Sequence, residues 1–195
     1  MEKRIVKRYE YELLENTFHN DYLDVFIARR KDRHYSFREY RSADLYRDEL
    51  AKYKKIQKIG VNVQKLIAHD KRALILIFER FHEPSALEIL SKQELPELYY
   101  KLLFTIYRLC RFAKVEINYL PENFILKGTT LYYIGEEIFE PDPRHNLENF
   151  GLRYWMYSKE ATTLLSKKGY SINPKRLISD EEANKRIVLL SVIHW

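Results

Sequence analysis

Cysteine is nearly absent from this chain: Cys110 stands alone among 195 residues. A single thiol excludes an internal disulfide and fits a reducing compartment, which points to the cytoplasm. The six histidines, at 19, 34, 69, 82, 145 and 194, show no ligand spacing such as HxxxH. With one cysteine beside them, a zinc site is not expected. Glycine is also scarce, with five in all, and the sequence holds no P-loop, no G-x-G-x-x-G and no G-x-S-x-G elbow. No apolar run approaches the roughly 18 residues that span a bilayer. The opening MEKRIVKRYEYELLE is basic but has no apolar stretch behind it, so a signal peptide is not expected. Internal repeats and low-complexity segments are also missing.

What the chain does have is charge and aromatic surface. Hydrophobic residues make up 46%, aromatics 14% and charged residues 32%, enough for a real core under a well-solvated surface. The net charge of +6 favours anionic partners. A nucleotide, a phosphorylated molecule, an acidic protein surface or RNA would all fit. The basic residues are nonetheless spread along the chain and mixed with 28 acids, the pattern of an ordinary solvated surface.

Arg4 to Leu14 has the composition of a strand, Asn16 to Asp21 that of a turn, and YLDVFIARR that of a second strand. Lys31 to Arg33 makes a turn before a third strand, HYSFREYR. A helix follows from the cap Ser42 to the stop Gly60, with Tyr46, Leu50, Tyr53 and Ile56 on one stripe. VNVQKLIAH and RALILIFER complete a five-stranded antiparallel sheet, the last strand apolar enough to be buried on both faces. Pro96 opens a second helix reaching Ala113, with Leu98, Leu102, Ile106, Leu109 and Ala113 as its apolar stripe. The loop around Pro121–Asn123, strand FILK, a turn at Gly128 and strand LYYI come next. Leu147 to Ser166 reads as helix, and the tail beyond Gly169 as one more. The fold class is α+β.

This order of elements, with the sequence NYLPEN at 118–123, resembles the protein-kinase-like superfamily, and in particular its short atypical members: the RIO kinases, the small KEOPS-complex kinase and the lipopolysaccharide-core kinases. The likeness covers about residues 4 to 140. It implies a two-lobed fold, with an N-lobe over residues 1–80 and a reduced, mainly helical C-lobe over 81–195. It also implies ATP and magnesium as cofactors. In such a fold YSFR occupies the place of the strand that carries the phosphate-holding lysine, so Arg38 would be the cation. Glu49 on the following helix would be its partner, with Glu39 and Asp48 as competing acids. Glu79, at the end of the last sheet strand, joins Arg38 and Glu49 as a nucleotide-binding candidate.

The resemblance also exposes departures. Between the first two strands ENTFHNDY contains no glycine, where kinases bring bare backbone up to the phosphates. Phe18 and His19 are candidates to fill that space. NYLPEN keeps Asn123, which in kinases binds a metal ion, but puts Asn118 where the catalytic aspartate belongs. An amide cannot accept the substrate proton. Glu116, two residues earlier, is the one substitute base. LYYIGEE puts Gly135 at the position of the metal-binding aspartate, leaving Glu136 and Glu137 as the replacement ligands. The segment after Glu137 has no A-P-E motif and no room for a long activation loop.

Three readings follow. One is a degenerate pseudokinase acting as a nucleotide-sensing or scaffold protein. The second is an active atypical phosphotransferase acting on a small molecule or RNA, with Glu116 as base and Glu136 or Glu137 on the metal. The third is an RNA-binding module, for which RRKDRHYSFREYR supplies charge and stacking aromatics.

Overall fold

The computed structural model describes residues 2–171 and 173–195. The expectations for the N-terminal stretch and for the tail touch Met1 and Ile172, which lie outside the described residues. The fold is α+β, and its contacts divide it into two units, Met1–Lys55 with Val63–His82 and Ile56–Asn62 with Glu83–Trp195.

The first unit is a wholly antiparallel sheet of six strands: β1 (Glu2–Val6), β2 (Tyr9–His19), β3 (Leu23–Arg30), β4 (Arg33–Tyr40), β5 (Leu66–Asp70) and β6 (Ile75–Glu79). Their order is β1-β2-β3-β4-β6-β5. The expected five-stranded sheet is therefore corrected to six. The predicted strand Arg4–Leu14 folds back on itself, with Val6 opposite Tyr9 across the two-residue turn Lys7–Arg8. Lys7 turns the chain at φ 58°, a left-handed conformation usually given to glycine or asparagine. A lysine there leaves no turn signal in the sequence. The predicted turn at Asn16–Asp21 also shortens, because β2 runs on to His19. Asn20 makes the turn by accepting from the Tyr22 and Leu23 amides, both at 2.8 Å. His19 pairs with the buried carboxylate of Asp24, which Arg41 also contacts, and Phe18 is half exposed.

Alternation along the strands sorts the side chains onto two faces. Tyr11, Tyr35, Phe37, Ile75 and Ile77 share one cluster. Tyr40, Leu76 and Phe78 join a second, completed by Tyr46, Leu50 and Tyr53 of helix α1 (Ala43–Ile59). Strand β6 is thus buried on both sides, as its unbroken apolar run demands. The Ser42 hydroxyl accepts from the Leu45 amide at 3.3 Å at the start of α1. The sheet curls far enough for its edge strands β1 and β5 to touch.

The second unit holds α2 (Ala86–Leu90), α3 (Glu97–Phe112), β7 (Glu116–Ile117), β8 (Phe124–Lys127), β9 (Thr130–Tyr133), β10 (Ile138–Phe139), α4 (Lys159–Lys167) and α5 (Asp180–His194). A reciprocal capping box between Ser85 and Glu88 starts α2. Strands β8 and β9 form a hairpin around Gly128, at φ 61°. Helix α3 is buried along Tyr99, Leu103, Ile106, Tyr107 and Cys110, so the predicted stripe is out of phase. Leu98 is 37% exposed. Tyrosines 99 and 107 serve as core here, because a ring with a polar tip can bury its body and still bond its hydroxyl. The predicted helix Leu147–Ser166 is also divided. A 3-10 segment spans Gly151–Trp155, the chain extends at Met156, and Ser158 caps α4. The buried Trp155 ring packs 5.2 Å from Phe124, and its Nε1 donates to the Tyr119 carbonyl at 2.6 Å. Among the described residues, no helix is long and apolar enough to cross a membrane.

Candidate functional site

The predicted site residues fall into two groups, one in each unit. In the first, Arg38 lies on β4 opposite Leu76 of β6, on the sheet face that packs against α1. Its guanidinium is 4.6 Å from the centre of the Phe78 ring and 3.8 Å from the Glu49 carboxylate. Both charged side chains are about nine-tenths buried. The competing acids are engaged elsewhere: Glu39 lies 3.6 Å from Arg4, and Asp48 is 2.6 Å from Lys52. Glu79 is opposite Tyr35, so alternation puts it on the other face from Arg38.

The second group is organised around residues 116–137. Pro121–Asn123 forms a single 3-10 turn. The Asn123 amide closes it on the Leu120 carbonyl at 3.0 Å, and its carbonyl accepts from Ile134 at 2.8 Å. Its side-chain Nδ2 donates to the Asn118 carbonyl at 3.3 Å. Asn123 therefore ties both arms of the loop to Ile134, just beyond β9.

Asn118 is equally committed. Its Oδ1 accepts from the Leu120 amide at 3.1 Å, while its Nδ2 donates to the Glu137 carboxylate. The Tyr133 hydroxyl joins the same network, accepting from the Asn118 amide at 3.3 Å and donating to the Glu137 carbonyl at 2.9 Å. To reach both, the ring lies directly under Gly135. A Cβ on residue 135 would meet Tyr133 ring atoms at 2.6 and 2.8 Å. The scarce glycine is therefore spent on a close approach and not on an unusual backbone angle. Burial pushes the Tyr133 hydroxyl well above its ordinary range.

Glu116, the residue expected as substitute base, is 3% exposed. Neither of its carboxylate oxygens has a hydrogen-bond partner of normal geometry among the described residues, and the nearby Tyr119 hydroxyl also lacks one. Burial pushes the Glu116 carboxyl above the usual carboxylate range, against an opposing pull from Tyr119 and Arg111. Burial likewise raises the Cys110 thiol, to about 12. This corner of the core is short of solvation.

A cleft of about 520 Å³ opens beside these residues, bordered by Glu116, Asn118, Tyr119, Glu137, Glu140 and Phe150 among others. Glu136 is not on its wall. Asp142 is, as part of a loop where it holds Arg144 at 3.0 Å and His145 at 2.9 Å. These contacts, those with Arg144 first, hold the Asp142 carboxyl well below the usual range.

The fit to a magnesium ion is poor. Gly135 brings no oxygen ligand, Glu137 is bonded to Asn118, and Asn123 is tied into the loop. Among the described residues no three His, Cys, Asp or Glu side chains are grouped to hold a metal. A hard dication needs several convergent oxygens.

Sequence reasoning missed Tyr133, Phe139, Glu140 and Phe150. The run EEIFEPD, with four acids in seven residues, was a visible signal for the acidic wall. Nothing local marked the aromatic part. In comparison with known proteins, the chain matches no family model and no curated protein.

Proposed function

We propose that the chain is a degenerate kinase-like domain, two-lobed, that acts by binding and not by phosphoryl transfer. The observation that carries this reading is the Asn118–Tyr133–Glu137 network. At the position where a kinase keeps its base, the chain has an amide whose two polar atoms are already engaged. At the position of a metal ligand it has a glycine covered by a tyrosine ring. Loss of a positioned base alone costs about 10²–10⁴-fold in rate. Loss of the metal's charge stabilisation removes several kcal/mol more. Glu116 is a weak replacement, because its oxygens are shut away from solvent.

Arg38 with Glu49 would be the remnant of the phosphate-holding pair, serving as a structural tie. A scaffold role toward a protein partner follows, in keeping with a positive surface that favours acidic or phosphorylated molecules. Incubation with γ-labelled ATP and magnesium tests the loss of chemistry. The expected result is no hydrolysis or autophosphorylation above a blank. Turnover abolished by Glu136→Ala or Glu137→Ala would overturn the reading in favour of an active phosphotransferase. Thermal unfolding with and without millimolar nucleotide decides the sensing role, since a ligand at 100 times its Kd stabilises by about 2.7 kcal/mol.

A further inference from the structure

One end of the six-stranded sheet is charged unlike the rest of it. Val6 pairs with Tyr9, Arg30 pairs with Arg33, and the start of β2 lies beside the end of β3, with Glu12 opposite Arg29. The hairpin tips Lys7–Arg8 and Lys31–Asp32 therefore stand side by side, about 10 Å apart at two strand spacings. Lys7, Arg8, Arg30, Lys31 and Arg33 gather here, and none of them pairs with a carboxylate among the described residues. The other five cations between residues 2 and 41, namely Lys3, Arg4, Arg29, Arg38 and Arg41, each do. Asp32 is the one acid in the two tips.

Two further features prepare these cations for a ligand. Each tip turns on a lysine at positive φ, 58° at Lys7 and 54° at Lys31, where glycine or asparagine is the less strained choice. The chain thus keeps an exposed cation at each tip against local backbone preference. The Arg30 guanidinium lies 3.7 Å from the centre of the Tyr9 ring and donates to the Tyr11 hydroxyl at 3.3 Å, and that of Arg8 is 5.4 Å from the Tyr9 ring. Arg30 is therefore held in place before any anion arrives, and its forked donors match phosphate geometry. Tyr9 itself is 36% exposed. The tip is the open part of the run RRKDRHYSFREYR, since Tyr35, Phe37 and Arg38 are buried.

We propose that this end of the sheet binds the phosphate run of a single-stranded nucleic acid, with Tyr9 stacking on a base. Closely spaced phosphates can meet both tips at once, and an aromatic ring among cations is the arrangement that holds an unpaired strand. An anionic bilayer fits less well, because neither tip carries a large apolar side chain to insert. The surface lies wholly in the first unit and stands whether or not the chain is kinase-like.

Fluorescence anisotropy of a labelled oligouridine RNA of about 12 nucleotides, titrated with the full chain, tests it. Saturable binding is expected, with log affinity falling against log salt at a slope of about −3, the value for about four phosphate contacts on a single strand. Arg8→Gln combined with Arg33→Gln should weaken binding at least about tenfold and make the slope shallower by about 1.4. Lys54→Gln combined with Lys55→Gln removes as much charge from the exposed side of α1 and should change affinity less than about twofold. Tyr9→Leu should weaken binding at least about fivefold. Because Arg8 and Arg33 are exposed, their variant keeps the test decisive even if Tyr9→Leu perturbs the hairpin. No saturation by about 100 µM protein at about 50 mM salt, or equal weakening by the Lys54 and Lys55 variant, would each overturn the proposal. Competition by a polyglutamate peptide or by phosphatidylserine vesicles as strong as that by unlabelled RNA would overturn it too.

Discussion

The two units each hold one pair of interacting polar residues, and the pairs differ in kind. Arg38 and Glu49 in the first unit form an ion pair, largely buried, 3.8 Å apart and covered by Phe78. Asn118 and Glu137 in the second are an amide bonded to a carboxylate, braced by Tyr133. A buried charge pair between sheet and helix is costly to break, because the remaining charge loses an opposite charge away from water. The loop pair is held differently, by hydrogen bonds among its own polar atoms and the Tyr133 hydroxyl.

The largest effect is expected at the ion pair. Glu49→Ala should cost about 3 kcal/mol in denaturant unfolding, because it takes a carboxylate away from a guanidinium that is nine-tenths buried. Replacing both with apolar residues of similar size should restore most of that loss. A cost under about 1 kcal/mol would show that solvent screens the pair. The loop should respond next. Gly135→Ala drives a methyl into the Tyr133 ring, and overpacking of this sort costs about 2 kcal/mol. Combining it with Tyr133→Leu should give a double variant less damaged than the sum of the two singles. Strict additivity would mean that the ring can move aside freely.

The smallest effect belongs to Glu116 and depends on pH. Its carboxyl is raised in the folded state by burial, so its favourable contribution is complete below the unfolded value, near 4.3. That contribution is lost as pH rises through the folded value. Glu116→Gln should therefore match the parent at acid pH and exceed it by about 1 kcal/mol at neutral pH, or about 2–4 °C in Tm. A constant difference across pH would mean that the carboxyl is not the cause.

Much of this fold could be read directly from residue patterns. The continuous apolar run at Ile75–Phe78 announced a strand buried on both faces, and Ser42 and Gly60 marked the limits of α1. What escaped was chiefly the work of residues used against type. Lys7 makes a left-handed turn without the usual glycine, and so hid the sixth strand. Buried Tyr99, Leu103 and Tyr107 put the apolar stripe of α3 off the expected line of Leu98, Leu102 and Leu109. At the candidate site the loop residues 116–123 and 135–137 were legible as a set, because their order and spacing are local. The position of the Tyr133 ring beneath Gly135 is a three-dimensional fact that no spacing rule conveys.

One consequence concerns solubility. An open six-stranded sheet ordinarily presents two raw rims, each able to recruit foreign extended chain. Here the first and last strands are brought together by curvature, and the first carries Glu2, Lys3 and Arg4. An intruding strand would meet crowding and mixed charge where it needs a flat, unguarded margin. The bend that shapes the first unit thereby also narrows the rim at which a second copy could pair.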